Sequence, residues 1–414
     1  MSKPAAPTTS AQVRPPLGID PERVPIYSPA FSAAPHALFE ELRARYGSLV
    51  PIDLAPGVPA TLVIDYRTAV QILHDPNHFP ADPRTWQRDI PADCPILPIL
   101  GYRPNALRST GYEHSRYRVV NTDSIDAIDL HALHGAVERV AVSLINTFCE
   151  TGSADLVGQY AFPLAFEIVN VMLGCPPEIG HRIAAATAAI LEGVDAEAGN
   201  KMLYAAVGEL VAHRRAHPGD DITSRVIQHH AALAESEIIE QVLVLYGGGT
   251  EPLGNLIAKT MLLLLIDDHI GGPVLGGSMS TRDAVDEVLF NDPPFTNFCI
   301  SYPRQPILID GVLLPAHQPI VISLLACNAD PVLGSGDRTG NRSHLAWGAG
   351  PHSCPARRPA YLVAQDAVDQ LLDILPEMRL AIAPDELVWR PGPFHRALSA
   401  LPVTFPATRP ILVD

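Results

Sequence analysis

The sequence lacks the features that mark membrane and nucleic-acid-binding proteins. No apolar run approaches the roughly 20 residues needed to cross a bilayer, and the best candidate covers only residues 261–266. Lys and Arg number 29 against 45 Asp and Glu, and the net charge of −16 argues against a basic nucleic-acid-binding surface. Residues 1–16 are rich in Pro, Ala, Ser and Thr and lack the hydrophobic core of a signal peptide. We therefore expect a cytoplasmic protein with no membrane and no nucleic-acid partner.

Cysteine is also scarce. The chain has 6 cysteines in 414 residues and no C-x-x-C pair, so neither a disulfide framework nor a structural zinc site is expected. Five of the six are expected to be buried small hydrophobes. The sixth, Cys354, lies in an unusual segment that is considered below.

The residues that are present predict a large, mainly α-helical protein. The hydrophobic fraction of 47% supports a sizeable core. Residues 1–30 are rich in proline without an apolar period and are interpreted as a flexible lead-in, whereas 31–414 are interpreted as one domain. Helical periodicity dominates 131–290 and returns at 357–374, while short strands are predicted at 48–53, 60–65, 307–325 and 390–405. A long irregular loop is predicted at 83–113.

Residues 344–357 have a pattern that favours reactive-thiol or metal chemistry. Gly348 and Gly350 allow a tight loop, and Pro355 suits the first position of a helix. A helix N-terminus lowers the pKa of a nearby thiol, so Cys354 is expected to be a thiolate. Such a thiolate could act as a nucleophile or as a metal ligand.

This segment resembles the haem-binding loop of the cytochrome P450 superfamily, written F-G-x-G-x-H-x-C-x-G. Here it reads Trp347-Gly348-x-Gly350-x-His352-x-Cys354-x-Ala356, with mild departures at its first and last positions. The resemblance covers roughly residues 30–407 and is greatest to the soluble bacterial members. It implies the mainly α cytochrome P450 fold with short peripheral β-sheets, and haem b bound through Cys354 as the iron ligand.

The same resemblance implies partners for the haem propionates. His114 and Arg118 match a propionate-binding helix pattern, and His344 and His352 match two further partners. The family often adds an arginine at the position that Ser301 occupies here. We expect that partner to be lost unless Arg304 replaces it.

The long helix predicted at 235–267 resembles the oxygen-binding helix of the family. Gly248 is expected to allow close approach of a flat group, and Glu251 matches the acid of the A-G-x-[DE]-T motif. The threonine that follows the acid in the family is replaced by Pro252 and then Leu253. Pro252 leaves the carbonyl of Gly248 without its helical donor, which favours a local opening.

A second departure concerns the E-x-x-R pair of the family. Glu287 matches the acid, but Phe290 stands where the arginine would be. A buried carboxylate without a partner is costly, so we expect Glu287 to find another partner, take a proton or meet water, and we predict that the partner is an Arg or His. Arg338 or Arg342, in the loop before the cysteine segment, could also compensate.

Substrate contacts can be placed only by resemblance, and each could equally be a core residue. The resemblance implies a flat, apolar or aromatic substrate, with contacts from five residues: Trp86, Val244, Phe295, Phe298 and Leu398.

The sequence leaves three functions open. The first is hydroxylation of a small, largely apolar secondary metabolite, for which the resemblance implies electrons from ferredoxin and ferredoxin reductase. Arg116, Arg357 and Arg358 could supply the basic patch for their docking. The second is oxidative C–C or C–N coupling or desaturation without oxygen insertion, for example of an aromatic cyclodipeptide with an indole, a phenol or a nucleobase. The loss of the threonine mildly favours it. The third is a haem-binding partner without turnover.

Overall fold

The computed structural model describes residues 23–33, 35–192, 196–333 and 341–411. Helices dominate it, as the periodicity predicts. Their bounds are α1 Pro29–Ala33, α2 Pro35–Tyr46, α3 Tyr66–Leu73, α4 Leu97–Leu100, α5 Gly111–Asp126, α6 Leu130–Ile145, α7 Phe162–Leu173, α8 Pro177–Glu192, α9 Ala196–Ala216, α10 Ile222–Gln228, α11 Glu235–Ile266, α12 Asp268–Leu275, α13 Thr281–Asn291, α14 Leu324–Asn328 and α15 Arg357–Ile374.

The strands are short and lie in four small sheets. They are β1 Val24–Pro25, β2 Leu49–Ala55, β3 Val58–Val63, β4 Ser153–Asp155, β5 Asn297–Ser301, β6 Ile307–Ile309, β7 Val312–Leu314, β8 Ile320–Ser323, β9 Arg379–Leu380, β10 Trp389–Arg390, β11 Ala397–Leu398 and β12 Pro402–Thr404. The largest sheet has the order β1-β2-β3-β8-β5, in which β3 and β8 are parallel with Thr61 opposite Ile320. The predicted fold class is confirmed.

The expected lead-in overlaps the folded structure. Residues 1–22 lie outside the described residues, but Val24 pairs with Ile52 in the main sheet and Ile26 is fully buried. The segment 23–30, which was assigned to the lead-in, therefore packs against the domain. The loop predicted at 83–113 is also partly ordered, since it contains a short turn at Trp86–Asp89, helix α4 and the start of α5.

Two large apolar clusters of the core pack around the long helix α11. One apolar cluster joins α11 to α6, α7, α13 and α15 through residues such as Leu256, Ile257 and Met261. A second cluster packs α11 against α5 and α8–α10, with Val242 and Tyr246 on the α11 side. Because both ends of α11 are held in apolar packing, its glycine-rich middle has a fixed position. No described helix has the length and hydropathy of a bilayer-spanning segment.

Candidate active site

The cysteine segment forms a tight loop that ends directly before α15. Gly348 and Gly350 have φ of 65° and 67°, in the left-handed region that glycine adopts without strain. The Cys354 N–H donates to the Trp347 carbonyl oxygen at 2.7 Å, which closes the loop. A Cβ atom on Gly350 would lie 2.1 Å from the carbonyl oxygen of Leu73, so this position also requires a hydrogen side chain. The glycine spacing that suggested a tight loop is thus explained by backbone geometry and packing.

The expected thiolate character of Cys354 is not supported by its surroundings. The backbone N–H of Ala356 and the cations Arg118 and Arg357 do favour the thiolate, as a helix N-terminus should. Burial has the larger effect, and it raises the pKa of the Cys354 thiol. The sequence could not reveal this outcome, because the burial comes from distant segments.

Two of the predicted propionate partners meet in space. The His114 ring on α5 lies 4.0 Å from the His352 ring of the cysteine loop, measured between centroids. Burial, with the nearby Arg118, lowers the pKa of His114 to about 4 and that of His352 to about 3. His114 Nε2 is buried and has no hydrogen-bond partner among the described residues. Burial therefore keeps both imidazoles neutral, and His114 Nε2 has hydrogen-bonding capacity that no described residue uses.

His344 lies at the start of the cysteine loop and behaves in the same way. It is 5% exposed, its Nε2 has no partner in the described ranges, and burial lowers its pKa to about 4. Unsatisfied buried donors are costly in a native protein. Together with the Arg118 guanidinium, these histidines fit a buried group that carries negative charge, such as the two propionates of haem b.

The middle of α11 leaves room for a flat group. Gly247 and Gly248 are exposed, although residues on both sides of them in the helix are buried. A Cβ atom at either glycine would meet no heavy atom within 4 Å. Helix α11 continues through Pro252, so the expected opening does not interrupt the helix. The space beside Gly248 fits the prediction that a planar cofactor approaches the backbone there.

Glu251, the predicted acid of this helix, is held by an ion pair. Its Oε1 accepts from Arg390 Nη2 at 2.6 Å and from Asn255 Nδ2 at 3.2 Å. Arg390 belongs to β10, near the C-terminus. The carboxylate is therefore fixed between α11 and a peripheral strand, a link that the sequence did not predict.

The structure corrects the expectation for Glu287. This residue is half-buried, and its Oε1 accepts a short hydrogen bond from Asn291 Nδ2, not from an Arg or His. A partly solvated carboxylate does not need a buried cation. Phe290, at the sequence position of the missing arginine, is 2% exposed, and its ring meets His344 edge-on with centroids 5.1 Å apart.

The neighbouring acid, Asp286, binds Arg342, one of the two arginines that were expected to compensate. Arg342 Nε donates to Asp286 Oδ2 at 2.8 Å, and the Tyr361 hydroxyl donates a short hydrogen bond to Oδ1. Asp286 thus joins α13 to the loop before Cys354 and to α15. Arg338, the other candidate, lies outside the described residues. Arg304 does not replace the arginine lost at Ser301, because it is exposed and donates to the Asn77 carbonyl oxygen.

Sequence reasoning missed a buried lysine on α11. Lys259 is 3% exposed, and its Nζ lies 2.8 Å from Asp292 Oδ1 and 3.0 Å from the Pro293 carbonyl oxygen. Arg396 Nη1 donates to the other oxygen of Asp292 at 2.9 Å. The sequence did carry a signal for this pair, because Lys259 lies among apolar residues of the long helix. A lysine that is buried in such surroundings must pair with an acid.

A cavity of about 560 Å³ lies between the 97–108 segment, α9 and the first half of α11. Val244, a predicted substrate contact, lines it. The other four lie elsewhere: Trp86 packs on Tyr302, with ring centroids 5.6 Å apart, and Leu398 is 2% exposed in the α11 core. Phe295 and Phe298 stack on each other with centroids 4.5 Å apart. Each of these four contacts remains a prediction.

The chain is similar to known proteins over most of its length. No protein-family model matches the chain. Cytochrome P450 107B1 of Saccharopolyspora erythraea is 26% identical over 399 residues, 91% of this chain and 96% of that protein. The cytochrome P450 monooxygenase PikC of Streptomyces venezuelae is 27% identical over 389 residues, 90% of this chain and 91% of that protein.

A solved structure shows the same architecture. Myxobacterial cytochrome P450 CYP267B1, in complex with myristic acid, superposes with a TM-score of 0.81 at 26% identity, covering 92% of this chain and 98% of that one. The superposition, the curated relatives and the cysteine loop agree with one another. The chain is similar in sequence and fold to bacterial cytochrome P450s; it binds haem b and is a monooxygenase-type oxidoreductase.

Proposed function

We propose that Cys354 is the iron ligand and that the chain hydroxylates a small, largely apolar secondary metabolite in the cytoplasm. The observation that carries this proposal is the closed loop around Cys354 beside the buried set of His114, Arg118 and His352. Bound haem supplies oxygen activation. Gly248 leaves the backbone of α11 open to a flat group, and His344 joins the buried set as a propionate donor.

The residues of this chain bind the cofactor, place a carboxylate on α11 and form the substrate cavity. His114, Arg118, His344 and His352 would hold the propionates of haem b, while Trp347, Gly348 and Gly350 shape the cysteine loop. The Glu251 carboxylate lies near the middle of α11, where Arg390 and Asn255 fix its position. Val244 and the cavity beside it receive the substrate.

Electrons come from ferredoxin and its reductase in this proposal. Arg357 and Arg358 are exposed at the start of α15, close in sequence to Cys354, and suit an acidic partner. Arg116 is less suited, because both of its terminal nitrogens bind Glu237, at 2.7 and 2.9 Å.

The thiol assignment is tested by comparing two cysteine variants. Cys354→Ala is expected to abolish the thiolate-type absorption of the reduced carbon monoxide complex. Cys299→Ala is the matched control, because its Sγ lies 3.3 Å from where a Cβ of Gly348 would be. Loss of that absorption in Cys299→Ala, with an unchanged spectrum in Cys354→Ala, would refute the assignment.

Oxidative coupling or desaturation is the second candidate, favoured by one observation. Pro252 and the buried Leu253 follow Glu251, so no hydroxyl stands in the place of the family threonine. A product that lacks two hydrogens and has gained no oxygen identifies coupling or desaturation, whereas a gain of one oxygen identifies hydroxylation. Turnover of either kind with reductant and oxygen excludes a haem-binding partner without activity.

A further inference from the structure

Among the residues that the structure describes, Arg108 is a buried cation without an acidic partner. It is 3% exposed, and within those residues its guanidinium makes one hydrogen bond, from Nη2 to the Ile99 carbonyl oxygen at 2.8 Å. It forms no ion pair with a carboxylate in the part of the chain that the structure describes. Arginine stays protonated in proteins, so a buried guanidinium with free donors requires an anion from elsewhere.

The charges around Arg108 are otherwise matched. Arg108 lines the cavity of about 560 Å³. Of the other charged side chains that line this cavity, Lys201 binds Glu197 at 2.6 Å and Arg103 lies 3.4 Å from Glu240. One positive charge therefore remains, at the deeply buried position.

The rest of the cavity wall is mostly apolar. Leu107, Leu243 and Val244 line it together with Ile99, which is half-exposed at 52%. An occupant that satisfies this wall has an apolar body and one anionic group. Carboxylate geometry matches the two-pronged donor face of a guanidinium, and such charge-assisted hydrogen bonds give both affinity and orientation.

We propose, on the basis of the function proposed above, that Arg108 binds the carboxylate of the substrate, so that the substrate class is a small apolar carboxylic acid. The apolar body then lies along Leu243 and Val244 of α11. This arrangement orients the substrate relative to the helix that also carries Gly248 and Glu251.

A haem propionate is the other possible source of a carboxylate. Arg108 is close enough to Cys299 and His352 to affect the pKa of each. Arg118 already supplies a cation beside the His114 and His352 rings, however, and Arg108 is the unmatched charge that lines the cavity. The experiment separates the two sources by measuring haem retention together with ligand binding.

The test titrates the haem-containing protein with pairs of ligands that share a skeleton, each an apolar carboxylic acid and its primary amide. The panel includes tetradecanoate and 1-naphthaleneacetate. Binding is followed by the shift of the haem absorption and by calorimetry. We expect acids to bind tighter than their amides by roughly 10- to 100-fold, the usual effect of a charged hydrogen bond. Arg108→Gln should erase that preference, and Arg108→Lys should retain part of it.

Lys201→Gln is the matched control, because it removes one positive charge from the exposed rim of the same cavity. It should leave the acid preference unchanged. The proposal is overturned if no acid in the panel binds, if acids and amides bind equally, or if Arg108→Gln keeps the preference. Faster haem loss from Arg108→Gln, measured by transfer to apomyoglobin, with the acid preference intact assigns Arg108 to a propionate and also overturns it. Calorimetry reports on Arg108 even if the thiol assignment fails, so the two failures are distinguishable.

Discussion

Arg342 Nε lies 2.8 Å from Asp286 Oδ2, one residue before the acid that the family motif places in a buried pair. The connection between α13 and the segment that precedes Cys354 is therefore present, but the acid and the base have both moved. Asp286 is 8% exposed, whereas Glu287 is half-buried. The missing E-x-x-R arginine thus does not leave an isolated buried charge.

Asp286→Asn is expected to destabilise the protein, because it removes the charge that Arg342 and Tyr361 share. We expect a loss of about 1–3 kcal/mol in the free energy of unfolding. Glu287→Gln is the control and should change it by less than about 0.5 kcal/mol, as a partly solvated surface substitution. Urea denaturation followed by circular dichroism measures both. Equal effects of the two substitutions would assign no special role to Asp286.

Lys259→Ala is expected to cost about 3–5 kcal/mol of the free energy of unfolding, because the lysine is buried and its loss weakens the neutralisation of Asp292. Arg396 still binds Asp292, which should keep the cost near the lower end. Lys201→Ala removes a lysine from an exposed pair with Glu197 and should cost less than about 1 kcal/mol. Thermal and urea midpoints of the two variants test the contrast, and similar midpoints would contradict it.

Gly350→Ala should prevent correct closure of the cysteine loop. An added Cβ would lie 2.1 Å from the Leu73 carbonyl oxygen, and φ is 67°. Gly311→Ala is the matched control, since its φ is 76° but a Cβ there meets no atom within 4 Å. The control should show only the strain of a left-handed alanine, about 1 kcal/mol. Haem content per protein is the measurement: Gly350→Ala should lose most of it and Gly311→Ala should not.

The buried histidines predict an acid-sensitive haem-free protein. Burial lowers the pKa of His114 and His344 to about 4 and that of His352 to about 3. An unfolded imidazole titrates near about 6.5, so between roughly pH 6.5 and 4 the unfolded chain binds protons that the folded chain does not. Stability from these groups is therefore complete above that range and is lost as the pH falls through it.

Urea midpoints at pH 7.5 and pH 5 measure this dependence. The urea midpoint of the haem-free protein should decrease from pH 7.5 to pH 5. That of the haem-containing protein should decrease less, because propionates favour the protonated imidazoles. His114→Gln, which cannot titrate, should reduce the slope of the haem-free protein. A flat profile for that protein would show that these imidazoles do not remain neutral in the fold.

Local patterns in the sequence predicted much of the architecture and the cysteine loop. The helix predicted at 235–267 is α11, and the one at 357–374 is α15, because apolar period and capping residues act within a few residues of each other. The same is true of Gly348 and Gly350, whose left-handed φ values depend on the loop itself. Local spacing therefore indicated a tight loop at Cys354 followed by a helix, and the family entered through the resemblance of that segment to a known haem-binding loop.

Only the tertiary structure decided which charges are buried and what they contact. Arg108 binds the carbonyl of Ile99, but its unmatched charge becomes visible only when α9 and α11 close the cavity around it. Asp286 meets Arg342 across 56 positions, and Lys259 meets Asp292 across 33. Burial also reversed the expected pKa shift of Cys354. The desolvation of a charged group depends on every segment that packs around it, so a local sequence pattern cannot predict it.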